Sequence, residues 1–135
     1  NQALHEVLGE YVEQRGSNIT AERLRFDFSH SQKMTEKEKR EVEEIVNNKI
    51  KENLPVKFVI LPKAEAEKTG ARHMFNEKYG DKVKVYYVGD SLESAYSKEF
   101  CGGPHVENTV TLATFKITKE EAIAAGIRRI RAVLE

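Results

Sequence analysis

The order of segments in this chain predicts an α+β domain, and three observations lead there. Helix-like and strand-like stretches follow one another irregularly, without a repeating βα unit. Apolar residues recur at spacings of three and four in some stretches, and alternate or cluster in short runs elsewhere. No Gly-rich phosphate-binding fingerprint follows any strand-like run, which argues against a doubly wound parallel sheet.

Taken in order, residues 2–13 place Ala3, Leu4, Val7, Leu8, Tyr11 and Val12 on one helical face, and Gly16-Ser17-Asn18 closes that segment. Leu24-Arg25-Phe26-Asp27-Phe28 alternates apolar and polar residues, as a half-buried strand does. Thr35 followed by Glu38 is a capping box. The helix it opens runs to about Asn53, with Val42, Ile45, Val46, Ile50 and Leu54 on one side, and Pro55 ends it. Residues 56–61 form a buried strand stopped by Pro62, and residues 63–69 a short helix capped by Gly70. Tyr79-Gly80-Asp81 is a turn before a strand over 83–88. Residues 89–105, with Gly89, Gly102, Gly103 and Pro104, read as a loop. A strand over 110–117, a short helix over 119–125 capped by Thr118, and a last strand over 126–134 complete the chain. Met34, Met74 and the aromatic residues are expected in the core.

With 135 residues, the chain fits one domain around one core. Hydrophobic residues make up 39% and charged residues 33%, too apolar a balance for a disordered tail. Lys plus Arg and Asp plus Glu both number 22, so no global basic field draws nucleic acid; a local patch is left as the means. No apolar stretch approaches the roughly 18 residues of a membrane span. The start, Asn1-Gln2-Ala3-Leu4, has no charged n-region or apolar h-region; it reads as a cut inside a helix rather than a signal peptide. A lone Cys101 forms no internal disulfide, as expected in a reducing, cytoplasmic compartment.

That cysteine sits in the most informative segment, Cys101-Gly102-Gly103-Pro104-His105. Two glycines between Cys and His let thiolate and imidazole turn toward one point. Both are good zinc ligands, at about 2.3 Å and about 2.0–2.1 Å, but zinc takes three or four. His5, His30 and His73 do not form a helical His-x-x-x-His pair. Three readings stay open: a Gly-rich turn with an incidental Cys, a Cys–His nucleophilic pair lacking a third group to orient the imidazole, and half of a zinc site. Gln14-Arg15-Gly16-Ser17 is a second candidate, since a Gln beside a Gly turn offers both donor and acceptor to a ligand; a polar helix end is the plainer account. Arg128 and Arg129, with Arg23 and Arg25, are candidate planar forks for phosphate, or simply ion-paired surface charges. His30 reads as a strand-end residue.

Several segments together resemble the editing domain of alanyl-tRNA synthetases over essentially the whole chain. They are Val7-Leu8-Gly9, Gln14-Arg15-Gly16-Ser17, Arg23-Leu24-Arg25-Phe26-Asp27-Phe28-Ser29-His30, Asn53-Leu54-Pro55-Val56, Glu77-Lys78-Tyr79-Gly80-Asp81, Cys101-Gly102-Gly103-Pro104-His105-Val106 and Ala124-Ala125-Gly126-Ile127-Arg128-Arg129-Ile130. The resemblance implies a single editing domain over 1–135, cut at its N-terminal helix, with an antiparallel or mixed sheet packed by helices. It implies hydrolysis of the ester in mischarged Ser-tRNA(Ala) and Gly-tRNA(Ala), within a parent that is an ATP-dependent ligase. Zinc is the implied cofactor, held in the family by a His-x-x-x-His on the first helix and a Cys-x-x-x-His later. Cys101 and His105 match the later pair, and the earlier one falls upstream of Asn1, so only half of the site is expected here. Gln14 matches a glutamine of the editing pocket, Cys101 a catalytic-centre position, and Arg128 with Arg129 the region near the tRNA end.

The chain departs from the family pattern at Val110, Asn76 and Pro104, and Leu92–Tyr96 reads as an insertion. Alternatives are a free-standing alanyl-tRNA editing deacylase, a metal-free RNA-binding module of the same fold, and a cysteine hydrolase.

Overall fold

The computed structural model describes residues 1–74 and 78–135. Phe75, Asn76 and Glu77, including the departure at Asn76, lie outside the described residues. The architecture is α+β. In chain order come α1 (Gln2–Leu8), β1 (Gln14–Ile19), β2 (Arg23–Ser29), α2 (Glu36–Lys51), β3 (Val56–Pro62), α3 (Lys63–Lys68), β4 (Lys82–Val88) and β5 (Ser97–Phe100). A 3-10 turn at Thr109–Leu112, β6 (Phe115–Ala124) and β7 (Ile127–Leu134) follow. All pairings between these strands are antiparallel, in two sheets ordered β1-β2-β7-β6 and β3-β4-β5.

The single expected core is two clusters, because each sheet buries its own inner face. The larger joins α1, α2 and the four-stranded sheet through Leu4, Val12, Phe28, Met34, Val42, Ile50, Phe115 and Ile130. The smaller gathers Ala66, Ala71, Val83, Val85 and Phe100 beneath the three-stranded sheet. Met34 belongs to the core as expected, but Tyr11 is 58% exposed and Phe58 50% exposed.

The long helix starts where its sequence dictates. The Thr35 hydroxyl accepts from the Glu38 amide at 3.1 Å, and the Glu38 carboxylate accepts from the Thr35 amide at 2.8 Å. Such a box stabilises a helix start by about 1 kcal/mol. The helix also holds the edge of β6. The Asn47 side chain both donates to the Phe115 carbonyl (2.9 Å) and accepts from its amide (2.7 Å), and Glu43 accepts from the Ile117 amide at 2.8 Å.

Four expectations are corrected. The first helix ends at Leu8 rather than near residue 13, because Gly9 takes φ 130°, a region open to glycine. Val12 still reaches the same core as Leu4, which is why the apolar spacing ran on past the break. Residues 119–125 form no helix: Lys119, Glu120, Glu121 and Ala122 pair across β6–β7 with Arg131, Ile130, Arg129 and Arg128. Good helix formers yield here to the β6–β7 ladder, across which Glu120 meets Arg128 and Glu121 meets Arg131 diagonally. The first half of the expected strand over 110–117 is the 3-10 turn, left through Ala113 at φ 61°, and the loop over 89–105 contains β5.

Replacing Asn47 with Leu keeps volume in α2 but removes both bonds to Phe115. We expect a loss of about 1–3 kcal/mol, read as a lower urea midpoint with an unchanged m-value; an unchanged midpoint would show these bonds contribute nothing.

Candidate functional site

The site is assembled on β4. Lys84 and Tyr86 alternate along it and so share a face. The Cys101 amide donates to the Lys84 carbonyl at 3.1 Å, which extends the β4–β5 register by one residue, from Val85 opposite Phe100 to Lys84 opposite Cys101. His105 lays its ring on Tyr86, with centroids 3.9 Å apart and planes at 34°. Positions two apart on a strand are about 7 Å apart, so the Cys-Gly-Gly-Pro-His turn meets β4 at two such positions, its Cys101 backbone at Lys84 and its His105 ring at Tyr86. Cys101 is a half-buried free thiol.

Electrostatics favour the neutral imidazole. Desolvation holds the His105 pKa below its ordinary value; Glu99 opposes this and Lys84 adds to it. A neutral ring is the form that ligates a metal. Glu99, also on this side of β5, accepts from the Asn1 side-chain amide at 3.1 Å. His5, in α1, is buried elsewhere, its Nδ1 3.9 Å from Glu10. Its pKa is lowered by burial and by Arg72, against the pull of Glu10. His73 packs at 5.6 Å against Phe100 in the smaller core, and His30 bonds through Nδ1 to the Tyr11 hydroxyl at 2.5 Å.

Cys101 and His105 offer two donors where zinc takes three or four. Among the described residues no group of three or more His, Cys, Asp or Glu side chains converges on one point. The residues present therefore do not make a zinc site by themselves.

Gln14 is not at a helix end. It opens β1, opposite Phe28, next to a register shift that leaves Arg15 as the extra residue before Gly16 meets Asp27. Its amide donates to the Ser17 hydroxyl at 3.3 Å. Gln14 thus belongs to the four-stranded sheet, and Cys101 and His105 to the other. Ties from α1 and its following turn link them: Glu6 accepts from the Tyr96 hydroxyl, and Gln2 and Glu10 accept from Arg72 at 3.1 and 2.9 Å. Burial, then the hydrogen bond and charge of Glu6, push the Tyr96 phenol well above its ordinary pKa. A polar cleft of about 240 Å³ lies here, lined by Gln2, Glu10, Arg72, Tyr96 and Lys98. Tyr96, in the segment read as an insertion, also lies 4.4 Å beneath the Lys49 ammonium.

Arg128 and Arg129 do point to opposite faces, and each meets a carboxylate with two bonds. Arg128 donates to both oxygens of Glu120 at 2.7 Å, and Arg129 to those of Asp27 at 2.7 and 3.0 Å. The Glu120 carboxylate is fully enclosed and also accepts from the Met34 amide at 3.2 Å. Burial pushes its pKa up, yet Arg128 and the Met34 amide outweigh that and hold it below the ordinary value. A helix over residues 119–125 would keep Glu120 from these partners; the acidic Glu120-Glu121 facing the arginines at 128, 129 and 131 across a Gly126 turn is the sequence signal for the pairing.

With this geometry in hand, known proteins place the chain. Residues 83–131 match the family described as threonyl and alanyl tRNA synthetase second additional domain. The whole chain is 58% identical to alanine–tRNA ligase of Treponema denticola, over 22% of that protein's length. The chain belongs with the second additional domains of alanyl-tRNA synthetases. Alanine–tRNA ligase of Borreliella burgdorferi is 56% identical over 99% of the chain and 22% of its own length. That of Shouchella clausii is 52% identical over 98% of the chain and 15% of its own length. The chain thus spans about a fifth of its Treponema and Borreliella relatives. Among the described residues no helix is long and apolar enough to cross a membrane.

Arg128→Ala would leave Glu120 enclosed and unpaired, a loss of about 3–5 kcal/mol at pH 7. In the parent chain the depressed Glu120 pKa contributes stability above the ordinary carboxylate value that disappears as pH falls through the folded value. In the variant the sign reverses: acid neutralises the stranded carboxylate, so the gap between variant and parent should narrow from pH 7 to about pH 4.5. A gap independent of pH would reject this account.

Proposed function

We propose that this chain is the editing part of an alanine–tRNA ligase, acting in the cytoplasm to hydrolyse the ester of Ser-tRNA(Ala) and Gly-tRNA(Ala). The observation that carries the proposal is the match to alanine–tRNA ligases along the full chain, with the Cys101–His105 turn displayed on one sheet face. The physical need is clear. An activation pocket separates alanine from glycine or serine by one small group, worth about 1–3 kcal/mol, or roughly 10–200-fold. A second, hydrolytic site supplies the remainder.

In this reading Cys101 and His105 contribute two ligands to a zinc site whose other donors are not among the described residues. The chain's own residues then bind and orient. His105 stays neutral and fixed against Tyr86, and the Cys101 backbone is pinned by Lys84. Gln14 reads the serine hydroxyl, exchanging its bond to Ser17 for one to substrate. Arg128 and Arg129, held on carboxylates, serve the tRNA end by fixing β7 rather than by carrying free charge to phosphate.

Two measurements test this. The 135-residue chain should retain well under one zinc per chain after desalting, whereas a longer chain with an upstream His-x-x-x-His should hold about one; tight, stoichiometric zinc in the shorter chain would sink the two-donor reading. In the longer enzyme, Gln14→Ala should slow Ser-tRNA(Ala) deacylation by about 10-fold with little change in thermal midpoint. A large fall in stability with unchanged deacylation would make Gln14 structural. Absence of zinc and deacylation from both chains would favour a metal-free RNA-binding module.

A further inference from the structure

The outer face of the three-stranded sheet carries rings that its core does not need. Val59, Leu61, Val83, Val85 and Phe100 pack inward, so Phe58, Ile60, Lys84 and Tyr86 face outward by the pleat. Phe58 stands directly opposite Tyr86, with ring centroids 5.3 Å apart. Half of Phe58 and 57% of Ile60 remain exposed. The Lys84 ammonium lies 4.5 Å from the Phe58 centroid and 5.8 Å from that of Tyr86. His105 continues the group on the far side of Tyr86.

We propose that Phe58, Tyr86 and Lys84 form a stacking platform for unpaired RNA nucleotides, those next to the esterified 3′ end of the tRNA acceptor strand. This rests on the editing reading above and names how its substrate is laid down. Rings exposed on a sheet, with a cation among them, are the physical means of holding single-stranded RNA: the rings take base faces and the cation takes phosphate. A duplex hides its base faces in its own stack and gains little here. Continuity fixes the occupant, because the rings run without a break into His105, beside Cys101, where the ester is placed. Charge agrees: Lys82 and Lys84 lie on this face of β4, and the carboxylate on β5, Glu99, is engaged by Asn1.

The test is fluorescence anisotropy of the 135-residue chain with a six-nucleotide RNA ending in CCA, against a blunt RNA duplex, with circular dichroism to confirm folding of each variant. Phe58→Leu with Tyr86→Leu keeps apolar area but removes the π faces, and should weaken single-strand binding roughly 10- to 100-fold. Tyr86→Phe should bind within about twofold of the parent. Lys84→Gln should flatten the dependence of log affinity on log salt by about 0.7. Equal binding by the double Leu variant, equal affinity for the duplex, or a concentration-dependent dimer that the double variant dissolves would each overturn the platform. The oligonucleotide carries no ester, so its binding is read apart from hydrolysis. Deacylation without ring-dependent binding overturns the platform alone. Ring-dependent binding without deacylation supports a single-strand RNA surface and removes the editing assignment.

Discussion

The two guanidinium–carboxylate pairs of β7 decide the geometry of the larger sheet. Arg128 and Arg129 are neighbours on one strand, so they leave it on opposite faces and reach different partners, Glu120 of β6 and Asp27 of β2. Each pair spans two strands with a two-pronged bond, so strand register and side-chain charge depend on each other. Glu120 goes further, taking the Met34 amide just before α2 begins. The start of the long helix, the path of β6 and the central strand are thus fixed to one enclosed carboxylate. Gly16 lies against the other pair: a Cβ there would sit 3.4 Å from Asp27, in van der Waals contact with its carboxylate.

The second sheet has a simpler logic. Its inner face is small and apolar, covered by α3 and closed by Phe100, with Tyr79 edge-on to that ring at 5.1 Å. Its outer face carries Lys84, Tyr86 and the His105 ring. The division leaves Gln14 on one sheet and the Cys101–His105 turn on the other, with α1 and its following turn making polar ties to Arg72, Tyr96 and Glu99. Those ties fasten α1 and its following turn to the side of the Cys–His sheet.

Much of this was legible from residues in order, and the exceptions have physical reasons. The capping box at Thr35 announced α2, and Phe26, Asp27 and Phe28 announced β2, because caps and alternation are local signals. Leu8 to Val12 misled because a buried Val12 extends the helical pattern past a glycine that breaks the backbone. Lys119 to Ala125 misled because helix propensity is local, while the arginines that hold it as a strand come later in the chain. Of the site, the Cys–His turn was plain from spacing. The stack of His105 on Tyr86 was not, since ring contact between a loop and a strand 19 positions earlier leaves no periodic trace. The exposure of Phe58 was hidden for a related reason: a short apolar run such as residues 56–61 does not reveal which side of the sheet is covered.

The attachment of Asn47 and Glu43 to β6 has a consequence for assembly. β6 is an outer strand of its sheet, and an outer strand with unpaired backbone groups is a template for another chain. Here the outward amides of Phe115 and Ile117 and the Phe115 carbonyl are already taken by side chains of α2. The helix occupies the start of this edge as a neighbouring strand would, and strand addition there would first have to displace it. At the opposite margin, β1 presents Arg15, Ser17 and Asn18 and an irregular register, which suits a partner strand poorly. Both open borders of the sheet are thereby discouraged from extending, which keeps its four strands from recruiting a fifth from another chain.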